Sequence, residues 1–308
     1  MDERDFVDHL KRQFPARAPV VTGIGDDGAV LTDAEGHEHV IVADMLLDDV
    51  HFSLATTSAV LVGRKAIAVN LSDLAAMGCR PTAAFVSIAI PKSLTSTGNF
   101  AIDLYHGIHT LAEEFNFTVA GGDTNVWTGP FAINVCMTGE PFGERAVLRS
   151  GARSGDYLLV TGALGGSLRS GRHLSFTPRL NVSQLLATNI DVHAMIDISD
   201  GLSIDLHRMM DASSTGSLLN ATGIPIHDDV STEPPAPEPL KAAMSDGEDF
   251  ELLIALPPES VNAARHLVES SGESPLTVIG TVTEERGCHL INAAGDVSDL
   301  PVSGWQHG

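Results

Sequence analysis

The chain has 308 residues, long enough for one large domain or two ordinary ones, and 43% of them are hydrophobic, with 29 glycines. Eighteen Lys and Arg stand against 40 Asp and Glu, a net charge of −22; that disfavours nucleic acid and anionic membranes as partners, and any phosphate ligand must be met by metal ions or a few focused arginines. Cys79, Cys136 and Cys288 are far apart and form neither a zinc spacing nor a disulfide framework, which predicts a reducing, cytoplasmic setting.

The N-terminus, MDERDFVDHLKRQF, reads as a charged amphipathic helix without an apolar signal core. No later run approaches the ~20 apolar residues of a membrane span. PVVTGIGDDGAVL then opens a sheet. Gly23, Gly25 and Gly28 match G-x-G-x-x-G, but a polar turn at 33–36 and the strand HVIVAD follow where a dinucleotide fold needs a helix. A hairpin is expected instead. The strand ending at Asp44 runs into a loop, MLLDDVHF, with Phe52 as core. An apolar helix then spans about Arg64–Met77, is closed by Gly78, and is followed by Pro81 opening the strand TAAFVSIAI. Asn70 and Asp73, three residues apart, share one face of that helix. A surface aspartate on a half-buried helix is the ordinary alternative for Asp73.

A helix over about 96–115, the strand FTVA, a turn GGDTN and the strand FAINVCMTGE complete the first half. PFGERAVLRSGARSGD reads as a crossover, placing a domain boundary near Phe142: residues 1–142 and 143–308. The second half begins with YLLVTG and the turn ALGGS. It continues with a helix near Arg179–Ala187, the strand AMIDIS, a helix GLSIDLHRMM and a surface loop EPPAPEP over 233–239. The strand EDFELLIAL, a helix near 259–270 and short strands end the chain. Interleaved helices, strands and antiparallel hairpins predict an α+β protein of two domains.

Aspartates recur at turns and strand ends: Asp26 and Asp27, Asp44, Asp123, and Asp197 with Asp200, alongside Asp73 on its helix. Each has an ordinary explanation as a turn or cap residue. If they converge they repel, by about 3 kcal/mol for two charges ~6 Å apart at an effective dielectric of 20. Divalent cations relieve this, and all-oxygen ligands select Mg²⁺, which shares its shell with substrate phosphates. The chain has only four lysines, none after a glycine, so a Walker A loop is absent.

GIGDDGAVL, D-x-L-x-x-x-V-H-F at 44–52, KAIAVNLSDLAAMG, GGDTN, RSGARSGD, TPRL, IDISDGLSIDL and GEDFELL occur in that order. The chain resembles the thiamine-monophosphate kinases of the AIR-synthase-like, PurM-type ATP-binding superfamily, from about Phe6 to Trp305. The resemblance implies phosphorylation of thiamine monophosphate to thiamine diphosphate, with ATP as co-substrate. It implies an N-terminal α/β domain whose mixed sheet is used for dimerisation, and a C-terminal α+β sandwich. By motif matching it places Mg²⁺ on Asp27, Asp44, Asp73, Asp123, Asp197 and Asp200, with K⁺ as a further cation. Gly122, Asp123, Arg149 and Ser199 fall at ATP, and His51, Glu248 and Trp305 at thiamine monophosphate.

A phosphate oxygen is already an anionic nucleophile near neutrality. No general base is needed, and Arg149 is the candidate to stabilise charge. Val42, Ala43 and Met45 stand where the family carries hydroxyls, implying fewer side-chain ligands at one metal. Gly166 replaces an aspartate, and the segment from it to Pro178 is short. Selenophosphate synthetase would need a reactive cysteine before Cys79, and the hydrogenase-maturation relative ends in a cysteine tail. The purine-pathway synthase lacks the GEDFELL context. A nucleotide-binding protein without turnover is the alternative from another class.

Overall fold

The computed structural model describes residues 3–97, 99–231 and 238–305. In chain order, α1 (Glu3–Gln13) leads to β1 (Val20–Thr22), β2 (Ala29–Thr32), β3 (Glu38–Leu47), α2 (Ala59–Ala76), β4 (Cys79–Pro91), α3 (Phe100–Glu114), β5 (Thr118–Trp127) and β6 (Ala132–Pro141). Then come β7 (Tyr157–Thr161), α4 (Ser167–Ser170), α5 (Leu180–Asn189), β8 (Ala194–Ile198), α6 (Leu202–Ser213), β9 (Gly216–Asn220), α7 (Pro239–Ser245), β10 (Glu251–Leu256), α8 (Val261–Ser271), β11 (Leu276–Thr283), β12 (Gly287–Ile291) and β13 (Val297–Asp299).

Among the described residues these strands make two mixed sheets. The first has six strands in the order β1-β2-β3-β6-β4-β5, with β4 and β5 parallel and its other pairs antiparallel. The second has seven in the order β13-β12-β9-β11-β7-β10-β8, parallel at β9–β12. The α+β expectation holds. No described helix is long and apolar enough to cross a membrane.

Helix α2 is buried on nearly every face because it lies between the two sheets. One side meets β3, β4 and β6, and the other meets α5, β8 and β10. Ser58 caps it, accepting a hydrogen bond from Leu61 N–H. Leu71 and Leu74 are wholly buried, so truncating either to Ala costs about 2–5 kcal/mol. Helix α3 crosses α2 at two glycines: a Cβ at Gly63 would meet the Leu104 carbonyl at 2.0 Å, and one at Gly107 the Val60 carbonyl at 1.9 Å.

Several expected boundaries shift: α2 begins at Ala59 rather than near Arg64, and β10 only at Glu251. GGDTN is no turn, because β5 runs straight through it, paired with β4 from Thr118 to Trp127. Gly122 makes this feasible, since a Cβ there would meet the Val86 carbonyl at 1.8 Å. Pairing with β6 carries β3 through Leu47, past Asp44, so the loop begins at Asp48. Strand β4 starts at Cys79, with Pro81 inside it. The 92–97 stretch is a separate 3₁₀ turn, and α3 starts only at Phe100. The hairpin expected in place of a dinucleotide fold is present as β2–β3, and Phe52 is buried. Most of the EPPAPEP loop lies outside the described residues.

Candidate active site

A cleft of ≈ 1250 Å³ lies between the sheets. Its acidic floor comes from four places in the chain. Along β3, Asp44 alternates in phase with buried Val40, Val42 and Leu46, so it faces the cleft. The turn before β2 supplies Asp27, α2 supplies Asp73, and the end of β8 supplies Asp197. Asp27, Asp73 and Asp197 each offer an oxygen within 4.8 Å of the others. The Asp44 and Asp73 carboxyl groups lie close enough to perturb each other. Ser72 Oγ donates to Asp197 at 2.7 Å.

Burial first, then the charges of Asp44, Asp197 and Asp27, push the Asp73 carboxyl far above the usual carboxylate range. Asp197 is pushed up in the same way by burial and Asp27. Asp44 also rises, chiefly through burial. Asp27 Oδ2 is buried and makes no hydrogen bond, and neither does Arg149 Nε. Crowded carboxylates with spare acceptors fit a divalent cation, and an all-oxygen set fits Mg²⁺. Ala43 and Met45 also line the cleft but bring no side-chain oxygen.

Around this floor the other groups are held by specific bonds. Asp26 accepts from the Arg149 backbone N–H at 3.2 Å and from Asp27 N–H at 3.0 Å. The Arg149 guanidinium pairs with Asp27; burial opposes its charge, but the Asp27 carboxylate more than restores it. Asp205, buried in the first turn of α6, accepts from Asp200 N–H and Gly201 N–H at 3.1 Å. Arg208 bridges Asp200 and Asp205 at 2.6 and 2.7 Å. Trp305 N–H donates to the Asp200 carbonyl at 2.8 Å, which sets the indole at the cleft wall beside Ser199.

Glu248 and His51 complete the wall. Glu248 sits at φ +59° and Phe250 at +52°, left-handed conformations that non-glycine residues adopt at a cost of about 1–2 kcal/mol. The Glu248 carboxylate pairs with Lys65, whose side chain is 0% exposed. Lys65 Nζ also donates to the His51 carbonyl at 2.7 Å.

The structure therefore brings together Asp27, Asp44, Asp73, Asp197, Asp200, Arg149, Ser199, His51, Glu248 and Trp305. Gly122 and Asp123 stay apart on the exposed edge strand β5, where Asp123 accepts from Asn125 Nδ2 and Thr124 N–H. Three inter-strand steps separate Asp44 from Gly122 through Val135 and Val86, about 14 Å at ~4.8 Å per step. Sequence reasoning named Asp26 among the acidic turns without giving it a role, and missed Lys65, Asp205 and Arg208. The spacing of Asp200, Asp205 and Arg208 on one helix start was a usable signal; Lys65 beside Arg64 gave none.

The family model of the AIR synthase related protein N-terminal domain matches residues 25–140, and that of the C-terminal domain matches 147–292. The thiamine-monophosphate kinase of Rhodopirellula baltica is 37% identical over 99% of this chain and 97% of its own length. That of Bacillus subtilis is 31% identical over 100% and 99%. Among solved structures, AaThiL complexed with AMPPCP and TMP superposes with a TM-score of 0.85 at 27% identity, covering 100% of this chain and 97% of that one.

Proposed function

The chain belongs to the thiamine-monophosphate kinase family and phosphorylates thiamine monophosphate with ATP, and we propose that it does so by direct in-line transfer at a magnesium-loaded aspartate cage. The observation that carries this is the convergence of Asp27, Asp73 and Asp197 in one cleft with Arg149. An oxygen of the thiamine monophosphate phosphate bonds to the γ-phosphorus of ATP as the bond to the β-phosphate oxygen breaks, giving thiamine diphosphate and ADP. The attacking oxygen is already anionic, so no side chain has to remove a proton. Mg²⁺ held by Asp27, Asp44, Asp73, Asp197 and Asp200 would neutralise the meeting phosphates. Arg149 adds a fixed positive charge beside them. Ser199 lies with the nucleotide. Glu248 offers a carboxylate to the cationic ring of the substrate, with Trp305 as an aromatic face and His51 beside it.

Two domains divided near residue 142 frame the cleft, and the protein is a cytoplasmic homodimer. The dimer is supported by β5, which is exposed along most of its length. The adjoining open face carries Met45 at 58% and Phe85 at 43% exposure. Pairing there carries Gly122 and Asp123 of one copy to the nucleotide in the other copy. Val126→Asp is expected to yield monomers in sedimentation and to lose turnover. The deciding assay incubates purified protein with ATP, Mg²⁺ and thiamine monophosphate and separates thiamine diphosphate by chromatography. Absence of product overturns the proposal. Exchanging K⁺ for Na⁺ in the same assay tests the second cation.

A further inference from the structure

Lys65 is one of four lysines in the chain, and its side chain is wholly buried between the two walls of the cleft. From one wall the 48–53 loop presents the His51 carbonyl, and from the other the 247–250 turn presents the Glu248 carboxylate. Lys65 Nζ donates to both. The first loop is held by its own bonds, Leu47 N–H donating to His51 Nδ1, Asp49 N–H to the Phe52 carbonyl and Leu54 N–H to Asp48, and by Asp48 N–H donating to the Phe131 carbonyl. The second hangs from β8 by Glu248 N–H to the Ser199 carbonyl and Phe250 N–H to the Ile198 carbonyl. Lys65 thus joins two independently anchored loops.

An apolar side chain of similar length would fill the same space without the cost of burying an ammonium. Only one Glu248 oxygen accepts from Lys65, and the side chain stays 18% exposed towards the cleft. Burial drives the Glu248 carboxyl towards its neutral form, and the Lys65 charge opposes that.

We propose that Lys65 is a positioning residue for substrate selection: it sets the separation of the His51 and Glu248 loops and leaves one Glu248 oxygen free for the positively charged ring of thiamine monophosphate. This rests on the substrate assignment given above. The bonds of Lys65 run to the loops of His51 and Glu248 and not to the aspartate floor or Arg149, so its removal should act on one substrate and spare the other.

The test is steady-state kinetics on the full chain, varying the two substrates separately. Lys65→Met is expected to raise KM for thiamine monophosphate about 10–100-fold while KM for ATP and kcat stay within about threefold. Lys65→Arg, which keeps the charge and both donors, should recover most of the loss. If Lys65→Met does not fold, the double variant Lys65→Met/Glu248→Gln removes the unpaired buried carboxylate. Its KM for thiamine monophosphate should lie within about twofold of Glu248→Gln alone, because the lysine acts chiefly through that glutamate. Equal loss for both substrates, an unchanged KM, or full additivity with Glu248→Gln overturns the proposal while leaving the kinase assignment standing. A wild-type protein that makes no thiamine diphosphate overturns both.

Discussion

Two groups of buried carboxylates lie about one strand apart in the second sheet, and they are built in opposite ways. Glu251 on β10 accepts from Thr161 Oγ1 at 2.6 Å and from Arg179 Nε at 2.7 Å, with the second guanidinium nitrogen on its other oxygen. Asp249 accepts from Gly165 N–H at 2.9 Å and from Arg172 at 3.1 Å. Across the sheet, Asp197 meets Asp27 and Asp73, with Arg149 as the nearby cation. The residue types and the burial are alike. Where donors satisfy the carboxylates, they close a fold. Where they face each other, they wait for a cation. Partner inventory, rather than burial or acidity, separates architecture from chemistry here.

The sharpest way to break this contrast is to neutralise one member of each group. Asp73→Asn should lower turnover by about 10²–10³-fold or more, the scale set by losing a preorganised charge-stabilising group. Its melting temperature should hold or rise as repulsion is relieved. Arg179→Ala should do the reverse, costing about 3–5 kcal/mol by stranding the Glu251 charge, with kcat of the folded fraction preserved. Calorimetric melts beside chromatographic assays check both. If Asp73→Asn melts early with full activity, the two groups have been assigned the wrong way round.

Removing metal is the next largest test. Chelation should lower the melting temperature of the wild type, whereas saturating Mg²⁺ stabilises it by about 2.7 kcal/mol at a hundredfold excess over Kd. Asp73→Asn should lose most of that response and Arg179→Lys none of it.

The smallest expected effect is on pH. Burial pushes Asp249 up to about 7, against gains from Gly165 and Arg172. A carboxyl raised on folding favours the folded state while protonated. Its contribution is therefore complete below about pH 4 and lost as pH rises through about 7. Asp249→Asn should flatten that slope in a pH series of melts, and a slope unchanged by the substitution would assign it to other groups.

Much of the cleft was legible in the sequence because its aspartates sit where period and punctuation are strong. Asp73 lies on a helix with Leu71 and Leu74, Asp197 ends an apolar strand, and Asp27 stands in a glycine turn. The course of β5 was not legible. Gly121, Gly122 and Asn125 are turn residues by type, and only pairing with β4 keeps them extended. Lys65 was hidden for a related reason: a lysine beside Arg64 looks solvated until the two loops that enclose it are known.

The burial of α2 against both sheets has a mechanical consequence. A single rod lies in the core that the two sheets share, so the two walls cannot swing apart like a book without tearing Leu71 and Leu74 out of contact. Ligands must enter past short segments at the rim, such as the loop carrying His51 and the chain around Val302 and Trp305, over an unyielding frame. Traffic through this molecule is a matter of doors rather than of moving walls.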